Sequence, residues 1–301
     1  MIRRLAAGAA RLSEALDRRV LPPTPASRAG LLRAVNGAYT AAYLGRRVRM
    51  FREVHRTDPT LFQPVGPVRM LRRPLPPPLA DAVMYATLAS DAAFTLGLRH
   101  RVTGPVHAGL LLWTLSYRNS WSMIFHSDNT LVLHTAVLGL TPSADAVAVG
   151  APPARPAPSW RYAVPVRGME LTTAIAYFLA GLAKVAGPLG WGWADGEVLR
   201  RQIAADGLRK ELLGSSAATL GIRLYPRTGL FRALAAGSLV LELAAPLALL
   251  DRRLARLWAA GAFGMHWGIL AIMGIRFRHQ LSGVLYLPYV PAERLLPSRL
   301  R

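Results

Sequence analysis

Long apolar blocks, separated by short clusters of arginine and proline, make up most of the chain. Most blocks approach the length of about 20 residues that a helix needs to cross the hydrocarbon core of a bilayer. We therefore predict an all-α protein, a polytopic transmembrane helix bundle of about seven spans, with a short eighth candidate at 281–290. The seven predicted spans cover residues 29–44, 79–98, 105–125, 131–149, 169–186, 230–250 and 254–275.

Local signals modify this pattern at three places. Arg33 and Asn36 interrupt the first predicted span, which makes it the weakest. Pro246 has no amide hydrogen to offer the carbonyl four residues earlier, so a kink is predicted in the sixth span. Between the fifth and sixth spans, Asp195 is a candidate N-cap for an amphipathic helix that reaches about residue 213.

The first twenty residues combine apolar positions at helical spacing with surrounding arginines. The apolar positions are Leu5, Ala9, Leu12, Leu16 and Val20. Such a helix can lie on an anionic lipid surface, although a solvated tail explains the same pattern. The predicted organisation is an amphipathic N-terminal segment at 1–26, a transmembrane domain at 27–296 and a tail at 297–301.

Composition narrows the class of partner. The formal net charge is +21 and the pI is about 11.6, values that would also suit a nucleic-acid-binding protein. Here, however, the arginines flank apolar blocks and form no single face interleaved with aromatic residues. We therefore expect the lipid bilayer as partner, the cell membrane as location and no nucleic acid. The chain has no cysteine, which excludes disulfides and thiolate metal sites.

Lys184 is the first candidate for chemistry. Only Lys184 and Lys210 are lysines among 37 basic residues, and the remainder are arginines. Lys184 ends an apolar helical run, 176–184. A buried lysine can lose its charge and act as a neutral base, whereas an arginine stays charged. The alternative is that Lys184 lies near a helix end and extends its amine to the membrane interface.

Further ionisable groups fall inside the predicted spans, where each charge costs at least about 2.5 kcal/mol on insertion scales. Glu242 precedes the predicted kink, so its carboxylate is either a proton or cation site or a structural partner for Arg118 or Lys184. His266 is flanked by small residues that let a helix or a ligand approach closely. It is therefore a candidate for catalysis or for a helix–helix hydrogen bond.

A polar stretch follows the third span and contains Arg118, Asn119, His126 and Asp128. Arg118 is expected to pair with a carboxylate, namely Asp128, Asp145 or Glu242, or else to hold an anionic head group or an oxyanion. The histidines share no ligand spacing of the kind that zinc sites use, so no metal is predicted.

Two stretches give the chain a resemblance to a known family. Residues 117–129, which continue into 138–145, and residues 177–184 resemble the HTTM family, the bacterial membrane domains related to vitamin K-dependent gamma-carboxylase. Weaker similarity occurs at 242–247 and 265–267. Together these stretches cover most of residues 80–290 in the family's order.

The resemblance implies a membrane enzyme that uses a reduced vitamin K-type quinone or a related lipid-like molecule. Lys184 would be the general base that deprotonates the quinol, with His266 and Glu242 as its partners. The oxyanion would then react with oxygen, and the quinone would leave as an epoxide. The residues expected to bind the substrate are Arg118, Asn119, His126, Asp128 and Tyr177.

Two departures weigh against protein carboxylation. The carboxylases carry an Asn-Asn-His stretch where this chain reads Ser127-Asp128-Asn129, and no large propeptide-binding part follows the last span. The alternative function is a non-catalytic membrane scaffold or partner subunit, whose buried polar residues only join helices. A transporter is less expected, because no inverted repeat is evident.

Overall fold

The computed structural model describes residues 20–151, 156–214 and 219–298, and within these ranges the chain is helical. The one β-type feature among them is an isolated bridge between Thr24 and Ser159. The amphipathic helix predicted over residues 1–20 lies outside the described residues except for its last position. The chain divides into two compact units, residues 1–169 with 291–301, and residues 170–290.

The prediction of a polytopic transmembrane bundle is wrong for this structure. In the ranges that the structure describes, no helix combines the length and the apolar character needed to cross a membrane. The helices formed by several apolar blocks end earlier than predicted. Charged residues lie within the longer helices. The block at 131–149 stops at Gly139, and the block at 230–250 stops at Leu243.

Among the described residues, the first unit contains five α-helices and the beginning of a sixth. They are α1 (Ala26–Gly45), α2 (Val48–Val54), α3 (Pro77–Leu96), α4 (His100–Asn119), α5 (His126–Gly139) and α6 (Trp160–Val185). Helices α1, α3, α4 and α5 pack together. Their shared core, to which α2 adds Phe51, also contains Leu44, Met84, Leu111, Leu115 and Leu131.

Arg33 does not interrupt α1, contrary to the sequence-based prediction. Its side chain is fully buried inside a continuous helix. Its guanidinium donates to the carbonyls of Phe94 and Thr95 at the end of α3, and to those of Ser143 and Val147 in the loop after α5. Burial lowers the Arg33 pKa to about 10, so the group remains charged at neutral pH. A buried cation at a helix C-terminus is favourably placed against the helix dipole.

The second unit contains the end of α6 and five further helices. They are α7 (Glu197–Leu212), α8 (Thr219–Leu224), α9 (Thr228–Leu243), α10 (Arg252–Met273) and α11 (Arg278–Leu281), with a 3-10 segment at Val284–Tyr289. The core of this unit combines small and aromatic side chains. Its members are Ala174, Tyr177, Ala245, Ala248, Ala255, Trp258, Ala259, Ala262, Leu285, Tyr286 and Tyr289. The alanines let backbones approach closely, and the aromatic rings fill the space that remains.

Pro246 ends α9 and does not kink it. The helix finishes at Leu243, and a short 3-10 segment, Ala245–Leu249, follows with the proline in its first turn. Proline suits the first turn of a helical segment because its missing amide would have no partner there. Glu242 therefore lies in the last turn of α9, and not near the middle of a long span.

Candidate functional site

Lys184 and Glu242 form an ion pair in the second unit. The Lys184 amine lies 2.6 Å from Glu242 Oε1 and also contacts Oε2. About a quarter of the Lys184 side chain is exposed, against a tenth of the Glu242 side chain. The Lys184 side chain is therefore partly open to the outside, while its partner is nearly enclosed.

Gly181 explains how the two helices bring this pair together. It lies one turn before Lys184 in α6, and a Cβ built on it would sit 3.0 Å from Glu242 Cβ and 3.1 Å from Leu243. An alanine at this position would require the Glu242 and Leu243 side chains to move by a few tenths of an ångström. The glycine therefore holds the end of α9 against the last turns of α6, where the lysine side chain reaches the carboxylate.

Burial raises the pKa of the Glu242 carboxyl, and the neighbouring ammonium of Lys184 opposes that rise. The amine also lies 5.0 Å from the centre of the Trp193 ring, within cation–π range. Trp193 belongs to the 3-10 segment Gly190–Asp195. Lys184 is thus held between a carboxylate and an aromatic face.

Two tyrosines and a histidine lie beside this pair. The hydroxyls of Tyr177 and Tyr286 are 2.5 Å apart, and each lies 3.3 Å from His266 Nδ1. The same nitrogen is 2.9 Å from the carbonyl of Ala262, one turn earlier in α10. The three side chains come from α6, α10 and the 3-10 segment at Val284–Tyr289, so they form a small hydrogen-bonded network in the core.

Tyr177 connects the network to the ion pair. Its pKa is raised well above the usual range, first by burial, then by Tyr286, and also by the charge of Glu242. Burial also raises the pKa of Tyr286. Both phenols therefore stay protonated and can donate hydrogen bonds. The predicted catalytic residues Lys184, Glu242 and His266 accordingly lie in one unit, with Tyr177 between them.

Arg118 forms a second cluster in the first unit. Its Nη2 lies 2.6 Å from Asp128 Oδ2 and 2.8 Å from Asn119 Oδ1, and the guanidinium stacks on Phe125 at 4.2 Å. Tyr43 donates to the other Asp128 oxygen at 2.8 Å. Of the three carboxylates considered for Arg118, the structure therefore places Asp128 beside it.

The residues predicted to bind a substrate fall into two groups. Arg118, Asn119 and Asp128 are buried together in the first unit, whereas Tyr177 belongs to the second. His126 begins α5, but its side chain lies outside the described part of the structure. Within the described ranges, no three histidine or carboxylate residues are grouped so that they could hold a metal ion.

Sequence reasoning missed Tyr286 and Glu170. Tyr286 lies in the apolar piece 281–290, which was considered only as an eighth span, although a buried phenol usually needs a hydrogen-bond partner. Glu170 is fully buried at the start of the second unit, and Arg252 lies 2.7 Å from its Oε1. A carboxylate in the middle of an apolar helix was the signal that could have identified it.

Comparison of the chain with family models, with curated proteins and with solved structures found no match. The HTTM resemblance therefore stays a prediction that rests on the residues quoted for it.

Proposed function

We propose that the protein is an enzyme that acts at a lipid surface on a quinol or a related lipid-like substrate, with Lys184 as the general base. The observation that carries the proposal is the partly exposed Lys184 side chain, whose amine contacts the enclosed Glu242 carboxylate. A base that acts on a hydroxyl must combine access to the substrate with a means of losing its own proton. Lys184 has both.

Glu242 supplies the means of losing the proton. In this proposal the Glu242 carboxylate is the acceptor for the Lys184 proton, a role that burial favours by raising the pKa of the Glu242 carboxyl and that the ammonium charge opposes. The amine then removes the proton of the substrate hydroxyl. Tyr177 and Tyr286, which remain protonated, can donate hydrogen bonds to the oxyanion that forms.

Exposed apolar side chains beside exposed arginines support a lipid surface as the place where the protein acts. In α10, Leu254 and Leu257 are exposed at 42% and 72%, and Arg253 and Arg256 are exposed beside them. This combination suits an interface between anionic head groups and acyl chains. A substrate dissolved in lipid would be concentrated where the protein binds.

Oxygen uptake with a reduced naphthoquinol, with the product identified by mass spectrometry, tests the proposal. The balanced reaction consumes one quinol and one dioxygen and yields one quinone epoxide and one water. We expect epoxide from the native chain and none from Lys184→Arg, which keeps the charge but cannot become a neutral base. Lys210→Arg changes the other lysine and should keep the activity.

A second candidate function is that of a non-catalytic scaffold or partner subunit. It is favoured by the ion pairs, in which each charged group already has a partner of opposite charge. Arg118 with Asp128 and Lys184 with Glu242 each satisfy one another without a ligand. Absence of epoxide from well-folded native protein would overturn the quinol proposal in favour of this one. Epoxide formation that survives Lys184→Arg would show that Lys184 is not the base.

A further inference from the structure

A cleft of about 1000 Å³ opens in the first unit at the N-terminal ends of α4 and α6. Its lining includes Arg99 and Arg101 at the start of α4 and Arg161 at the start of α6. All three arginines are exposed. Two segments that are about sixty positions apart in the sequence therefore bring three cationic side chains to one concave surface.

The negative charge in the cleft is small by comparison. Asp145 is the only carboxylate among the described lining residues, and Tyr162 donates a hydrogen bond to its Oδ2 at 2.9 Å. His100 also lines the cleft, and burial lowers its pKa, so it stays neutral at neutral pH. The cleft thus carries a net positive charge that no described lining residue balances.

The helix ends strengthen this charge. Helix N-termini carry a partial positive charge, which usually attracts acidic residues. Neither α4 nor α6 has an acidic residue in its first turn, and no side chain of the described residues caps α4. The exposed arginines and the two helix N-termini therefore add positive potential of the same sign at the cleft, which favours an anion there.

The rest of the wall is apolar. Val102, Leu140 and Val149 line the cleft with exposures of 64%, 70% and 61%, and Pro105 lies among them. When a hydrocarbon group covers solvent-exposed apolar side chains in a concave site, the burial of apolar surface favours binding. The chemistry of the cleft thus combines anion binding with apolar binding.

We propose that this cleft binds a phosphate-bearing amphiphile. The arginine guanidiniums hold the phosphate with paired hydrogen bonds, a geometry in which arginine exceeds lysine. The apolar wall covers the first part of the attached chain. The site lies within the first unit, contains none of the proposed catalytic residues, and stands whether or not the quinol reaction occurs.

Isothermal titration calorimetry with dihexanoyl phosphatidic acid, kept below its micellar concentration, tests the site. The comparison ligands are dihexanoyl phosphatidylcholine and inorganic phosphate. The double variant Arg101→Gln/Arg161→Gln should bind phosphatidic acid at least about tenfold more weakly than the native chain. The control Arg72→Gln/Arg73→Gln removes the same charge at exposed positions outside the cleft and should change affinity by less than about twofold.

The comparison ligands separate the two sources of phosphate. Tighter binding of phosphatidic acid than of inorganic phosphate supports a lipid head group as occupant. Equal affinity for the two, still lost in the Arg101/Arg161 variant, supports the arginine site with a free anion. Failure of the native chain to bind either one, or an equal loss in both double variants, overturns the proposal.

Discussion

At the scale of single residues, Asp91 has an unfavourable environment for a charged carboxylate. It is fully buried, and its Oδ1 lies 3.0 Å from Nε2 of the fully buried His107. The contact is poorly aligned, and neither carboxyl oxygen receives a well-aligned hydrogen bond from a described residue. His107 Nδ1 lies 3.0 Å from the hydroxyl of Ser90, which in turn donates to the carbonyl of Thr87. This arrangement fits a neutral chain of donors and acceptors, with Asp91 protonated.

Asp91→Asn tests that protonation state. Burial raises the folded-state pKa of Asp91 above its value in the unfolded chain. The native state then binds more protons than the unfolded state once the pH exceeds about 3.9, the usual aspartate pKa. The native chain should therefore lose free energy of unfolding relative to Asp91→Asn as the pH rises, by up to about 1.4 kcal/mol per pH unit.

Urea unfolding of both chains from pH 3.5 to 8 measures this difference. The asparagine variant is the matched comparison because it keeps the shape of the side chain and cannot ionise. If the native chain instead gains stability relative to Asp91→Asn above pH 4, Asp91 is a charged partner of His107, and the neutral assignment is wrong.

At the scale of helices, glycine determines how closely α4 and α5 pack. A Cβ on Gly104 would lie 2.3 Å from the carbonyl oxygen of Gly139, and a Cβ on Gly139 would lie 2.6 Å from that of Gly104. Each glycine therefore faces the other helix's backbone, which cannot rotate away as a side chain can. The two helices touch through their main chains at this point.

Gly104→Ala should destabilise the fold, because α4 and α5 must separate to admit the methyl group. We expect a loss of about 2–3 kcal/mol in the free energy of unfolding. Gly109→Ala is the matched control on the same helix, since no heavy atom lies within 4 Å of the place that its added methyl group would occupy. It should stabilise the fold by about 0.5–1 kcal/mol through helix propensity. Denaturant unfolding followed by circular dichroism measures both, and shifts of the same sign would contradict the close packing.

The sequence predicted helices better than it predicted their ends and neighbours. The helix expected after Asp195 is present as α7, but its N-cap is Gly196 and not Asp195. Asp195 lies one position earlier, where its carboxylate accepts the Glu197 amide hydrogen at 2.7 Å. Arg33 was misread because its four acceptors lie 61 to 114 positions away along the chain. No local pattern shows that a buried arginine has carbonyl partners.

The same limit applies to the candidate site. The rarity of lysine identified Lys184 from the sequence, and Glu242 was one of the carboxylates named for it. Gly181 and Tyr286 could not be connected to it, because their roles depend on which helices lie side by side. The transmembrane prediction was wrong for a related reason: mean apolarity along a block does not show where the helix ends or which polar groups are buried within it.

At the scale of the whole molecule, the net charge of +21 and the exposed leucines both favour an anionic lipid surface. Basic residues near such a surface contribute about 1 kcal/mol each, and salt screens that contribution. Burial of an exposed leucine contributes about 1.5–3 kcal/mol and does not depend on salt in the same way. Binding should therefore weaken with salt but retain a part that depends on the leucines.

Leu257→Ser should reduce the affinity for phosphatidylglycerol vesicles about tenfold, because the side chain is 72% exposed in α10 directly after Arg256. Leu61→Ser replaces a leucine that is 58% exposed outside α10 and should leave vesicle affinity unchanged. Co-sedimentation with vesicles at low and high salt measures both variants. Loss of all native binding at high salt, or equal effects of the two substitutions, would show that charge alone attracts the protein to lipid and that the α10 leucines do not insert.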